Sequence, residues 1–230
     1  MNSMKYFTVD DSLDELVVGK DFPQAYKFMK GYNPDAPQAL FSLYEFKDSF
    51  PDYVPALDGI MLAGSAKLTD FVSSPFSPDL FIISERVKQI FEQYNLCPHR
   101  FYPLGLYKRK VKYDYYLFHI VSNCIDCVDF RKTSFMECDL YTDRKYADAF
   151  VCSKEDLFQQ RSKLEREKGI SYTIGGERIV LNEHFDKELD FFSIGIIDGG
   201  TYISERLKNA IEANGLTGWD FTPTTKLAVE

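Results

Sequence analysis

At period two, Tyr113, Tyr115, Leu117, His119 and Val121 fall on one face of the run 111–128, the longest strand-forming stretch of the chain. Shorter strands are predicted over residues 5–9, 41–46 and 58–62. The acidic residues Asp10, Asp11, Asp14 and Glu15 behind the first of these read as a turn. Residues 25–30 are expected to make one or two helical turns and no more, because Pro23, Gly31, Pro34 and Pro37 stop a longer helix. Ser153 and Asp156 resemble a capping box, with Asp where Glu is usual, and open a polar helix to about Glu167. Residues 172–181 read as a hairpin whose turn is Gly175-Gly176. These elements predict an α+β fold, mostly antiparallel sheet with a few short amphipathic helices.

One module occurs twice. Residues 67–104 align without gaps on residues 187–224 and agree at 13 of 38 positions, where average residue usage would give about two or three. Lys67, Asp70, Phe71 and Ser73 match Lys187, Asp190, Phe191 and Ser193. Further on, Ile83-Ser84-Glu85-Arg86, Lys88, Glu92, Leu96, Phe101 and Pro103 match Ile203-Ser204-Glu205-Arg206, Lys208, Glu212, Leu216, Phe221 and Pro223. Ser84 and Ser204 stand where an N-cap oxygen accepts from orphan amides, and Glu85 and Glu205 where they favour the helix dipole. Val87, Ile90, Phe91 and Tyr94 make a helical stripe, repeated less apolarly by Leu207, Ala210, Ile211 and Asn214. Asn95 and Gly215 fall at the left-handed position beyond each helix. Ile60-Met61-Leu62 and Ile179-Val180-Leu181 precede the two copies at similar places, so the unit is read as strand, strand, short helix and extended tail. The expected organisation is a single composite domain over residues 1–230, or two pseudo-equivalent lobes of about 1–105 and 106–230.

Composition narrows the classes. The chain is 45% hydrophobic and 27% charged, as in ordinary globular proteins, and its 16% aromatic content favours sheet. A net charge of −8 repels a phosphate backbone, and the short cluster Lys108-Arg109-Lys110-Lys112 does not reverse it, so no nucleic-acid partner is expected. The acidic balance suits a basic protein partner, although solubility explains it equally well. No run of about 18 apolar residues occurs, so no membrane span is expected. Residues 1–14 carry no secretory signal, and the five scattered cysteines (Cys97, Cys124, Cys127, Cys138, Cys152) are expected as reduced thiols in a cytoplasm.

Candidate chemistry is sparse. Cys124-Ile-Asp-Cys127 has the spacing of a redox pair, but its surroundings read as strand, which would send the sulfurs to opposite faces rather than set one at a helix N-terminus. A zinc site would have to improvise, completing its ligands from His119, Cys138 or Cys97 with His99. Core or edge cysteines are the favoured reading. His119 shares an apolar face and reads as a core histidine; His184 reads as a loop residue. Asp198-Gly199-Gly200 lacks the lysine and longer glycine spacing of a phosphate loop and reads as a tight turn. The Glu-Arg pairs 85–86 and 205–206 read as surface charges, or as an ion pair between lobes. No catalytic, cofactor or metal residue is assigned.

The second copy, Phe191 through Pro223 with its run Ile203 to Gly218, closely resembles the C-terminal signature of the Imm-eleven family, immunity proteins of bacterial polymorphic toxin systems first catalogued as a domain of unknown function. Tyr115-Tyr116-Leu117-Phe118 and the stretch 123–134 resemble its central strand, acidic turn and following serine, so the resemblance spans about 80–224. Cys124 and Cys127, and the upstream copy at 67–104, depart from the family pattern. The resemblance implies a bacterial cytoplasmic protein that binds and occludes a cognate toxin domain, without catalysis, cofactor or metal. Two alternatives stand beside it: a small metal-binding or thiol-dependent enzyme built on His119, Cys124 and Cys127, and a self-associating structural protein. Every repeated residue has a capping, packing or turn role, so the binding surface is expected in what the copies do not share.

Overall fold

A computed structural model describes residues 5–121, 124–142 and 144–229. In chain order the elements are β1 (Tyr6–Asp11), α1 (Glu15–Val18), β2 (Ala25–Phe28), β3 (Asp58–Leu62), β4 (Phe71–Val72), β5 (Leu80–Ser84), α2 (Glu85–Phe91), β6 (His99–Lys108) and β7 (Val111–Ile120). There follow β8 (Ser134–Asp139), β9 (Lys145–Ala149), α3 (Lys154–Lys168), β10 (Tyr172–Leu181), β11 (Phe191–Ser193), β12 (Thr201–Ser204), α4 (Glu205–Ala213), β13 (Trp219–Pro223) and β14 (Leu227–Val229). The fold is α+β and mostly sheet. Three sheets run in the orders β2-β3-β6-β7-β5-β4, β11-β12-β1-β13 and β14-β10-β8-β9. Among the described residues, parallel pairing of strands is confined to β3 with β6 and β10 with β14.

The two copies of the repeat build the same four-stranded unit, β4-β5-β7-β6 and β11-β12-β1-β13. Their registers agree residue for residue. Phe71 lies opposite Ile83, and Phe191 opposite Ile203. Tyr116 is flanked by Ile83 and Pro103, and Phe7 by Ile203 and Pro223. The central strand of the first unit, β7, follows β6 in sequence. Its counterpart β1 comes from the start of the chain, some two hundred residues before the strands it joins. The second unit is therefore a circular rearrangement of the first.

Both faces of β7 are buried, because alternate side chains point to opposite faces. Tyr115 and Leu117 enter a core shared with Leu40, Leu43, Ile60, Ile82 and Leu104. Phe118 and Ile120 enter the larger core, where Phe71 and Phe91 of the first copy meet Phe191 and Leu207 of the second. The helices behave as their caps require. Ser84 and Ser204 accept from the amides of Val87 and Leu207, and Ser153 from Asp156. The Asp156 carboxylate takes the Cys152 amide at 2.9 Å, one residue before the cap.

Tertiary contacts overturn several local expectations. Residues 25–28 form strand β2, not helical turns. The preceding Gln24 is fully buried; its Oε1 accepts from the Ser73 amide at 3.0 Å and its Nε2 donates to the Lys67 carbonyl at 2.8 Å, which docks the segment on the sheet. Residues 40–45 form a 3₁₀ helix, not a strand, with Leu40 and Leu43 buried and Phe41 against Tyr44 one turn apart. Residues 172–181 form one continuous strand. A Cβ on Gly176 would lie 2.6 Å from the Ile179 side chain and 2.9 Å from that of Ile197, so the glycine makes room for packing instead of turning the chain. The predicted run 111–128 ends as strand at Ile120; Cys124–Cys127 is a 3₁₀ turn, and Ser122 and Asn123 lie outside the described residues. Gly215 is left-handed at φ +60, but Asn95 is not. β3 and β10 lie in different sheets with different partners, so the apolar triplets ahead of the copies are not counterparts.

Candidate functional site

The shared residues hold the two copies to each other. In each copy the aspartate accepts from its own cap serine: Asp70 from Ser84 and Asp190 from Ser204. Each then crosses over. Asp70 Oδ2 accepts from the Thr217 amide at 3.1 Å, beyond the helix of the second copy, and Asp190 Oδ2 from the Asn95 amide at 2.9 Å, beyond the helix of the first. Arg86 pairs with Asp70 and donates to the Asn214 carbonyl at 2.7 Å, while Arg206 pairs with Asp190. Lys88 lies over Phe101 and Tyr116 and pairs with Glu92; Lys208 lies over Phe7 and Phe221 and pairs with Glu212. The repeated charges are thus spent on structure.

Between the matched blocks lies a stretch with no identity at all, 74–82 against 194–202. In space these two divergent segments face each other across a cleft of about 230 Å³. Phe76, Pro78 and Phe81 form one wall and Gly199, Gly200 and Thr201 the other, with Asp10, Asp11 and Trp219 completing it. Pairing of β1 with β13 sets Asp10 opposite Asp220 and Asp11 opposite Trp219. Trp219 is fixed by stacking on Phe71, ring centroids 3.7 Å apart. Burial pushes the Asp11 carboxyl up to about 6, the charge of Asp10 adds to the rise, and the Trp219 indole N–H opposes it.

Across the Gly199-Gly200 loop lies a second cleft of about 450 Å³ that shares Val9, Asp10 and the two glycines with the first. Leu140, Tyr141 and Ile196 stand on its rim, 45%, 73% and 39% exposed. The loop between the clefts is held by Asp198, whose carboxylate accepts from the Gly200 amide at 3.2 Å and from the Tyr202 hydroxyl and pairs with Lys226 at 3.3 Å. The backbone at 198–200 makes no regular turn, and the Asp198 side chain bridges the loop in place of the tight turn read from the sequence.

The residues that suggested chemistry do not converge. His119 is buried on β7, its Nε2 donating to the Phe46 carbonyl at 3.1 Å, and burial lowers its pKa. Burial, then the neighbouring Cys127, pushes the Cys124 thiol up to about 12; burial likewise raises Cys97 and Cys127. Thiols held protonated are poor nucleophiles and poor metal ligands. His99 bonds the Cys97 carbonyl, Cys138 packs against Gly175, and His184 is exposed beside Glu183. None of the five cysteines is in a disulfide. Among the described residues no three His, Cys, Asp or Glu side chains are grouped to hold a metal ion. The basic cluster is committed in part, Lys112 to Asp58 and Lys108 to the Ala66 carbonyl. Among the described residues no helix is long and apolar enough to cross a membrane.

Sequence reasoning placed Asp10 and Asp11 in a turn, not in a strand, and passed over Trp219. The absence of identity between 74–82 and 194–202, set between two strongly matched blocks, is the signal that finds the cleft.

The model of the Immunity protein family (Imm11) matches residues 63–226. The chain belongs to this family. No curated protein matches it. The Imm11 span takes in both copies of the repeat, so the first copy at 67–104 lies within the matched region. β1, which completes the second unit and carries Asp10 and Asp11, lies outside the matched span.

Proposed function

We propose that this Imm11 member neutralises a cognate toxin domain of a bacterial polymorphic toxin system by binding it in the cytoplasm and occluding its active site, without catalysis. The family match over residues 63–226 carries the reading. The net charge of −8 supports it, since an acidic surface steers a basic partner into encounter. The two copies act as one composite unit, consistent with a core that draws on both. A thiol or metal enzyme built on His119, Cys124 and Cys127 gains no support from protonated thiols and a buried histidine.

Co-expression tests it. The probe is the C-terminal domain of the modular toxin encoded beside this chain. This protein should restore growth to cells expressing that domain and co-purify with it in a fixed ratio. Growth arrest that persists at equal expression, with no complex formed, would reject the reading.

A further inference from the structure

The geometry points to the paired clefts at the Gly199-Gly200 loop as the docking site of the toxin: a lysine or arginine side chain of that protein enters between Asp10, Asp11 and Phe81, and its apolar neighbours rest on Tyr141 and Leu140. This assignment rests on the immunity reading and adds the surface and the partner's chemistry. Three observations carry it.

The first is divergence. The copies keep the cap serine, the aspartate and the arginine that tie them together, yet share nothing over 74–82 and 194–202, and those two segments meet at this one cleft. The second is charge. No lysine or arginine lines the first cleft, and Lys226, in the second, is committed to Asp198. Among the described residues no cation forms an ion pair with Asp10 or Asp11, so a cation from outside is the complement the cleft lacks. A partly buried carboxylate without such a partner bears its desolvation cost alone, and an entering cation relieves it. The third is shape. A cleft of about 230 Å³ accepts one long side chain and excludes a helix or strand. The exposed Tyr141 and Leu140 beside it supply the apolar anchors from which protein interfaces draw most of their affinity.

The test is titration calorimetry with the purified toxin domain encoded beside this chain, against the full chain and its variants. Asp10→Asn with Asp11→Asn should weaken binding at least tenfold and flatten its salt dependence. Tyr141→Ala, at a side chain too exposed to matter for folding, should weaken it about tenfold, and keeps the test decisive if the double variant misfolds. Glu183→Gln, at an exposed residue that lines neither cleft, should bind as wild type. Trp219 is the only tryptophan, so free Nα-acetyl-arginine amide at millimolar concentration should shift its emission in the wild type and not in the double variant. Toxin binding within twofold of wild type in both cleft variants overturns the assignment and leaves the immunity reading standing. A wild type that neither binds nor protects overturns both. Dimerisation of the chain through this face, abolished by the cleft variants, would assign it to a second copy instead and also overturn the proposal.

Discussion

The carboxylate of Asp190 accepts a hydrogen bond at 2.9 Å from the backbone amide of Asn95, ninety-five positions earlier, and so fastens the end of one repeated helix to the copy that follows it. Asp190 is fully buried and also receives Ser204 and Arg206. Asp190→Asn keeps the shape but removes the charge and turns an acceptor into a donor. It should cost about 3 kcal/mol, because the carboxylate is fully buried and three donors lose their acceptor, although Arg206 itself is 46% exposed. Asp70→Asn should cost less, about 1–2 kcal/mol, because its carboxylate is 11% exposed where that of Asp190 is fully buried, and Arg86 is 59% exposed. Urea denaturation of the two variants compares them directly; equal losses would contradict the difference in burial.

Gly218 and Gly215 predict a second contrast. Gly218 adopts φ +114, and a Cβ there would lie 2.0 Å from the Phe71 carbonyl oxygen, a backbone atom at the seam between the copies. Gly218→Ala should therefore destabilise by about 3 kcal/mol or fail to fold. Gly215, at φ +60 with nothing within 4 Å of the added carbon, should tolerate alanine for about 1 kcal/mol. Thermal denaturation of the pair is the measurement.

Asp11 makes stability fall as pH rises. Its folded pKa of about 6 lies above the ordinary 3.8, so between those values the native chain holds a proton that the unfolded chain has released. Stability is lost through that window, and the full cost is present above about pH 6. Asp11→Asn removes the cost. Its melting temperature should exceed that of the wild type at pH 8, and the gap should close at pH 4. A gap independent of pH would refute the assignment.

His119 acts in the opposite sense. Burial lowers its pKa below 6.5, so on acidification the unfolded chain takes up a proton that the native chain refuses. His119→Phe gives up the bond to Phe46 but also this acid sensitivity. It should lose less stability than the wild type between pH 8 and pH 5, as read from denaturation midpoints at each pH.

What the sequence made legible was whatever depends on near neighbours along the chain. Ser84, Ser153 and Ser204 were readable as caps because a cap is completed within three residues. Asp70 and Asp190 stood out through the repeat, but their crossed partners, Thr217 and Asn95, did not, since a backbone amide carries no signature. The equivalence of Phe7 and Tyr116 was hidden for another reason. Each needs only an aromatic ring beneath a lysine, so no identity survives, and β1 stands on the wrong side of the chain from its unit. Residues 40–45 misled because apolar residues at spacings of both two and three fit either a strand or a 3₁₀ helix, and the buried Leu40 and Leu43 decided it. The cleft was invisible in any one stretch, being made where 74–82, 194–202, β1 and β13 meet.

The place of β1 between β12 and β13 has a consequence for synthesis. On the ribosome, Tyr6 to Asp11 are made some two hundred residues before either flanking strand, which begin at residues 201 and 219. Contacts spanning so much chain close slowly. A nascent chain cannot finish its second sheet piecemeal. That sheet, and with it the acidic face on β1, is completed in one late step, when β12 and β13 close on a segment made long before them.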